Sequence, residues 1–129
     1  MSLNILIVDD SVVMRSMILK TLRMSGLPLG ETYQAANGLD GLDSLKQNWI
    51  DLAIVDINMP VMNGEEMIDR IRDDPETKDL PVIVVSTEGS KTRIEELLNK
   101  GTRFIKKPFS PEDIRDTVKD ITGIGVNDG

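Results

Sequence analysis

Residues 52–64 read LAIVDINMPVMNG. Four apolar residues run unbroken to Asp56, and Pro60 and the pair Asn63-Gly64 follow within a few positions. A short continuous apolar run bounded by turn residues fits a strand buried on both faces, as in a parallel sheet. Such a strand ends here on a single carboxylate. Asp56 either caps a turn or is held at the strand end for chemistry, and the rest of the chain decides between these.

The same kind of run recurs at ILIV 5–8 and VIVV 82–85, with weaker candidates at TYQAA 32–36 and FI 104–105. Between them, apolar residues fall at three- and four-residue spacings. They are Met14, Met17, Ile18 and Leu22; Leu39, Leu42 and Leu45; Met67 and Ile71; Ile94, Leu97 and Leu98; and Ile114, Val118 and Ile121. Each set predicts an apolar stripe on an amphipathic helix, and the methionines are expected to fill the core. Gly26 with Pro28 and Gly101 read as helix ends, and Ser110-Pro111-Glu112-Asp113 as a helix start. The predicted fold is therefore α/β. Five βα units form a five-stranded parallel sheet, doubly wound, with flavodoxin-like order 2-1-3-4-5. The 129 residues suit one domain, with a core over about 3–122 and a frayed tail GIGVNDG.

Composition narrows the chemistry. There is no histidine and no cysteine, so general-base histidine, thiolate and zinc-thiolate chemistry are excluded. The carboxylates, hydroxyls, amines and backbone that remain form an oxygen-rich ligand inventory, which suits a hard cation. A net charge of −7 argues against a nucleic-acid binder. No apolar run approaches the roughly 20 residues of a membrane span, and no leader is readable, so a cytoplasmic location is expected.

A parallel sheet collects its carboxyl ends on one edge, where ligands bind. Asp9, Asp10 and Ser11 follow the first strand, and Asp56, Ile57 and Asn58 the third. Ser86, Thr87 and Glu88 follow the fourth, and Lys106, Lys107 and Pro108 the fifth. Three carboxylates, a hydroxyl and an ammonium thus converge on one rim. Aspartates gathered at a dry edge repel unless a cation or a proton joins them, and a magnesium ion meets that need. Taken singly, Asp9-Asp10 could be helix-start residues, Asp56 a turn residue, Ser86 a cap and Lys107 a solvated charge. Their coincidence at four strand ends favours a site.

With these residues in view, the chain resembles the response regulator receiver domains of two-component signalling, of the single-domain chemotaxis (CheY-like) type. The matching segments are ILIVDDS, LAIVDINMPVMNG, VIVVSTEG and FIKKPF, in that order. The resemblance implies that Asp56 accepts a phosphoryl group from a sensor histidine kinase. It implies Mg2+, with Mn2+ as a substitute, held by Asp10, Asp56 and the Asn58 carbonyl, and by Asp9 mainly through water. Ser86 and Lys107 would assist the transfer, and Ser86 and Phe104 would act as the switch. Asn58, Thr87 and Glu88 would tune the lifetime of the acyl phosphate. The Lys107–Pro108 peptide is expected to be cis, with Lys106 pointing away. Thr87 and Phe104 depart from the commoner alanine and tyrosine at those positions.

The resemblance further implies a phosphoacceptor with self-catalysed phosphorylation and autodephosphorylation, not an enzyme acting on other substrates. A monomer is expected. Partners would be a chemotaxis kinase, an output protein such as the flagellar motor switch, and a phosphatase. No output domain is read after the fifth helix, so output is expected through protein contacts. The alternative is a stand-alone phosphorelay shuttle or a regulator of a non-flagellar partner. A dehalogenase-type phosphatase would need an aspartate where Asn58 stands. A flavodoxin-like carrier would need a hydroxyl-rich phosphate loop where Asp9 and Asp10 stand.

Overall fold

The computed structural model describes residues 2–87 and 89–123. Ten elements alternate along them. They are β1 (Leu3–Val8), α1 (Val12–Met24), β2 (Leu29–Ala35), α2 (Gly38–Gln47), β3 (Leu52–Val55), α3 (Gly64–Asp73), β4 (Val82–Ser86), α4 (Lys91–Leu98), β5 (Arg103–Lys106) and α5 (Pro111–Thr122). The five strands form one sheet in the order β2-β1-β3-β4-β5, and each neighbouring pair is parallel. The expected doubly wound sheet is the fold observed.

The continuous apolar strands supply both faces of the sheet. Side chains alternate along a strand, so Ile5, Ile7, Ile54, Ile83 and Val85 pack with Ile18 and Leu22 of α1 and Ile114 and Val118 of α5. Leu6, Val8, Ala53, Val55, Val82 and Val84 face the other way, onto Met67, Ile68 and Ile71 of α3 and Leu97 of α4.

Each helix starts on a serine or asparagine. Ser11, Asn37, Asn63, Ser90 and Ser110 accept a hydrogen bond from a backbone N–H in the first turn of their helices. Ser110 and Asp113 form a reciprocal capping box with Pro111 at the helix start, as the sequence predicts. Gly26 and Gly101, expected at helix ends, carry φ of 81° and 79°, a region costly for residues with a Cβ.

Three expectations need correction. The methionines are not uniformly core. Met67 is fully buried, but Met17 and Met24 are 56% and 66% exposed. The stripes of α2 and α4 are narrower than read, since Leu39 and Leu98 face solvent; three- and four-residue spacing fixes a helix face only to within one side chain. Asn63-Gly64 is not a turn but the N-cap and first residue of α3. Of the expected tail, 124–129 lie outside the described residues. Among the described residues no helix is long and apolar enough to cross a membrane.

Candidate functional site

The carboxyl edge of the sheet gathers the expected acids. One carboxylate oxygen from each of Asp9, Asp10 and Asp56 lies within 4.8 Å of the others. Strand pairing sets this spacing. Val8 pairs with Val55, and the Asp56 N–H continues the ladder by donating to Val8 O at 2.9 Å. Asp9 N–H likewise donates to Ala35 O at 3.1 Å. The two strand ends are thereby held side by side.

The helix-cap and Asx-turn roles do not account for Asp10 or Asp56. Ser11, not Asp9 or Asp10, caps α1 by accepting from Met14 N–H. Asp56 Oδ1 accepts from Ile57 N–H at 2.9 Å, a bond to the next residue and not the i→i+2 bond of an Asx turn.

The three aspartates differ in what they have left to offer. Asp9 is buried, and both its oxygens are engaged: Oδ1 accepts from Ser11 N–H at 2.9 Å, and Oδ2 from Lys107 Nζ at 3.3 Å. Lys107 Nζ also stands 3.7 Å from Asp56 Oδ1. Asp10 is exposed, and its carboxylate has no hydrogen-bond or ion-pair partner among the described residues. Burial pushes the Asp56 carboxyl above its ordinary value and the Lys107 ammonium pulls it down; the Asp9 charge raises it, the Ile57 N–H lowers it and Asp10 raises it again. Three carboxylates facing one ammonium leave the rim negative, and every unspent donor is oxygen. The residues therefore fit a hard divalent cation.

The remaining expected residues fall as follows. Ser86 is the last residue of β4 and buried, not in the loop beyond it. Its carbonyl accepts from Lys107 N–H at 2.9 Å, which ties the lysine to the β4 end. Lys106 is likewise the last residue of β5, and exposed, so only Lys107 reaches the acids. The Lys107–Pro108 peptide is cis. Phe104 pairs with Val84 and packs on the α3–α4 side of the sheet, the face that strand alternation gives Ser86. Asn58 and Thr87 are exposed at the rim, and Glu88 lies outside the described residues.

Sequence reading missed two residues that build the site. Arg15 of α1 donates from its guanidinium to Asp9 O at 2.6 Å and to Gln34 Oε1 at 3.0 Å, fixing the β1–α1 connection. Gly64 donates to Ile57 O at 2.8 Å, and a Cβ there would lie 2.2 Å from Asp56 O. The Asn63-Gly64 pair carried a signal of its own, an N-cap residue followed by a glycine.

The raised Asp56 carboxyl makes a stability prediction. A carboxyl whose folded pKa exceeds its unfolded value contributes most below the unfolded value of 3.8, and that contribution is lost as pH rises through the folded value. At pH 7 without divalent cations the charge at residue 56 therefore costs stability. Asp56→Asn is expected to raise the urea midpoint with an unchanged slope, and the gain to vanish near pH 3. A lower midpoint at pH 7 would contradict this electrostatic reading.

Fold and site together define a doubly wound α/β protein with a carboxylate site, faced by one lysine, at the carboxyl edge of its sheet. The chain belongs to the response regulator receiver domain family, whose model matches residues 5–119. It is similar to the chemotaxis protein CheY homolog of Campylobacter jejuni, 35% identical over 129 residues and 98% of each chain. In structure it resembles a putative response regulator from Chloroflexus aurantiacus, with TM-score 0.85, 29% identity, and 95% of this chain and 99% of that one covered. It also resembles a chain of the CheX-CheY-BeF3-Mg complex from Borrelia burgdorferi, with TM-score 0.83, 28% identity, and 92% and 88% covered.

Proposed function

We propose that this receiver takes a phosphoryl group onto Asp56 from the phosphohistidine of a sensor kinase. The acyl phosphate then switches its protein contacts in chemotaxis, with the flagellar motor as output. The observation that carries this reading is the cluster of Asp9, Asp10 and Asp56 with Lys107 Nζ 3.3 Å from one carboxylate and 3.7 Å from another.

Asp56 is the nucleophile. Its carboxylate oxygen attacks phosphorus as the P–N bond to the partner's imidazole breaks and that nitrogen keeps the electron pair. No general base is needed, because the carboxylate attacks in its ionised form. Lys107, held between Asp9 and Asp56, meets the charge that develops on the phosphoryl oxygens. A magnesium ion, when bound by Asp10, Asp56 and the Asn58 carbonyl, supplies further charge neutralisation there. Asp9, with both oxygens engaged, acts on such an ion indirectly. Arg15 and Gly64 hold the two strand ends in place.

Delivery requires a partner at the rim. Val12, Val13 and Met17 of α1, the helix that follows Asp9 and Asp10, are all more than half exposed, an apolar surface suited to the kinase. After transfer, the buried Ser86 hydroxyl re-pairs with a phosphoryl oxygen. Phe104, on the same face of the sheet, moves into the space released, and this biases the α4–β5–α5 surface. Beryllofluoride should therefore move Phe104 and α4; an unchanged α4 would refute the switch.

The same site loses the group to water, so decay is expected without added phosphatase. Asn58, Thr87 and Glu88 set the rate, and Thr87→Ala quickens it by widening water's access. A relative matched over 98% of both chains is named a chemotaxis protein, which favours a chemotaxis role, and the Borrelia complex pairs its CheY with another protein, CheX, which favours output through protein contacts. The test is phosphotransfer from a labelled chemotaxis histidine kinase, followed by capture of the flagellar switch protein. Label should pass to the wild type and not to Asp56→Asn, and capture should require the label. Transfer without phosphorylation-dependent capture would favour the shuttle reading.

A further inference from the structure

A second feature lies at the opposite edge of the sheet. A cleft of about 760 Å³ opens between residues 45–51, the end of α2 and its connection to β3, and residues 75–81 of the α3–β4 connection. Both segments precede strands, so the cleft sits at the amino ends of β3 and β4, away from Asp56.

Trp49, the chain's one tryptophan, stands on this cleft and is 78% exposed. It is exposed but fixed. Its indole N–H donates to Asp51 Oδ1 at 3.0 Å, and its carbonyl accepts from Asn4 Nδ2 at 3.0 Å. Asp51 is anchored in turn, its Oδ2 accepting from Asn4 N–H at 2.8 Å. One bond orients the ring, to a carboxylate that is itself anchored, and a second holds the Trp49 backbone before any partner arrives. An aromatic group held rigid in water costs little further ordering on binding, which is the property of interface anchors. With its N–H already used, the ring has its π face to offer.

The walls select the sign of the partner. Three carboxylates, Asp51, Glu76 and Asp79, line the cleft against one ammonium, Lys46. Asp51 is spent on Trp49 and Asn4. Neither the Glu76 nor the Asp79 carboxylate has a hydrogen-bond or ion-pair partner among the described residues; Asp79 acts on Arg72 only through space. A fixed indole face beside uncommitted carboxylates suits a guanidinium, which stacks on an aromatic ring and binds carboxylate through a planar fork.

We infer that this cleft docks an arginine-bearing segment of a partner protein, leaving the Asp56 edge open while that partner is bound. The test uses the full chain and an acetylated tetra-arginine peptide as probe, with Trp49 fluorescence as the signal. A saturable change is expected with tetra-arginine, at least about fivefold weaker binding with tetra-lysine, and none with tetra-glutamate. By calorimetry, Trp49→Ala and the pair Glu76→Gln/Asp79→Asn should each weaken binding by about tenfold or more. Glu95→Gln/Glu96→Gln, which removes the same charge from the exposed face of α4, and Asp56→Asn should each leave it within about twofold. Urea midpoints establish that the variants are folded. Non-saturable signal, unchanged affinity in Trp49→Ala, or equal weakening by the α4 pair would assign the binding to net charge and overturn the proposal. Weakening by Asp56→Asn would overturn the independence of the two edges.

Discussion

Lys107→Ala is expected to slow phosphorylation of this protein by acetyl phosphate about 10²–10³-fold, the usual loss when one preorganised charge donor is removed from a transition state. Lys107 is 14% exposed and lies 3.3 Å from Asp9 and 3.7 Å from Asp56. Among the described residues it is the one ammonium paired with the carboxylates of Asp9 and Asp56, and it lowers the Asp56 carboxyl against the burial that raises it. Its loss therefore acts twice, by removing charge from the phosphoryl oxygens and by making Asp56 harder to ionise. The rate-versus-pH profile should accordingly move to higher pH. Lys107→Arg is not expected to restore the rate, because a planar guanidinium cannot occupy the position of a compact ammonium. Rates from intact mass or phosphoryl label across pH check this. A loss smaller than about tenfold would remove Lys107 from the proposed mechanism.

Gly64→Ala is the second large effect. Its Cβ would lie 2.2 Å from Asp56 O and 2.9 Å from Ile57 Cα. Both obstacles are backbone, so no side-chain rotation relieves the clash. The start of α3 must withdraw, and the 2.8 Å bond from Gly64 N–H to Ile57 O goes with it. Overpacking of this kind costs about 3 kcal/mol. The displaced carboxylate is expected to lose about 10²-fold in phosphorylation rate, the scale of a roughly 1 Å misplacement. Asn63→Ala is the comparison. It deletes the N-cap bond to Glu66 N–H, at about 1 kcal/mol, without moving Asp56, so its rate should stay near wild type. Urea denaturation and phosphorylation kinetics on the two variants separate stability from positioning. Equal rates in Gly64→Ala and wild type would contradict the assigned role.

The legibility of the fold varied with burial. β3 is readable to the residue and β4 to within one, because strands buried on both faces are apolar; the run ILIV 5–8 stops short of β1, which begins at Leu3, because Asn4 interrupts it. The run TYQAA points to 32–36, but β2 spans Leu29–Ala35. It is an edge strand, and exposed Gly30, Glu31 and Gln34 dilute its signal. The acidic cluster was legible because a parallel sheet sends every strand end to one edge. Arg15 and Arg72 were not. Arg15 reaches Gln34, and Arg72 donates to the carbonyls of Lys78, Leu80 and Lys100. Such contacts join elements or loops distant in sequence, which no local pattern encodes. Ser86 and Lys106 close β4 and β5 instead of following them, because strand ends are set by hydrogen bonding and outrun the apolar run.

Phosphoryl transfer to Asp56 underlies every role proposed for this rim. Its most direct test is intact mass spectrometry after incubation with acetyl phosphate and magnesium. The wild type should gain the mass of one phosphoryl group, chelation of the metal should suppress the gain, and Asp56→Ala should show none. No added mass in the wild type, or the same adduct in Asp56→Ala, would contradict the account.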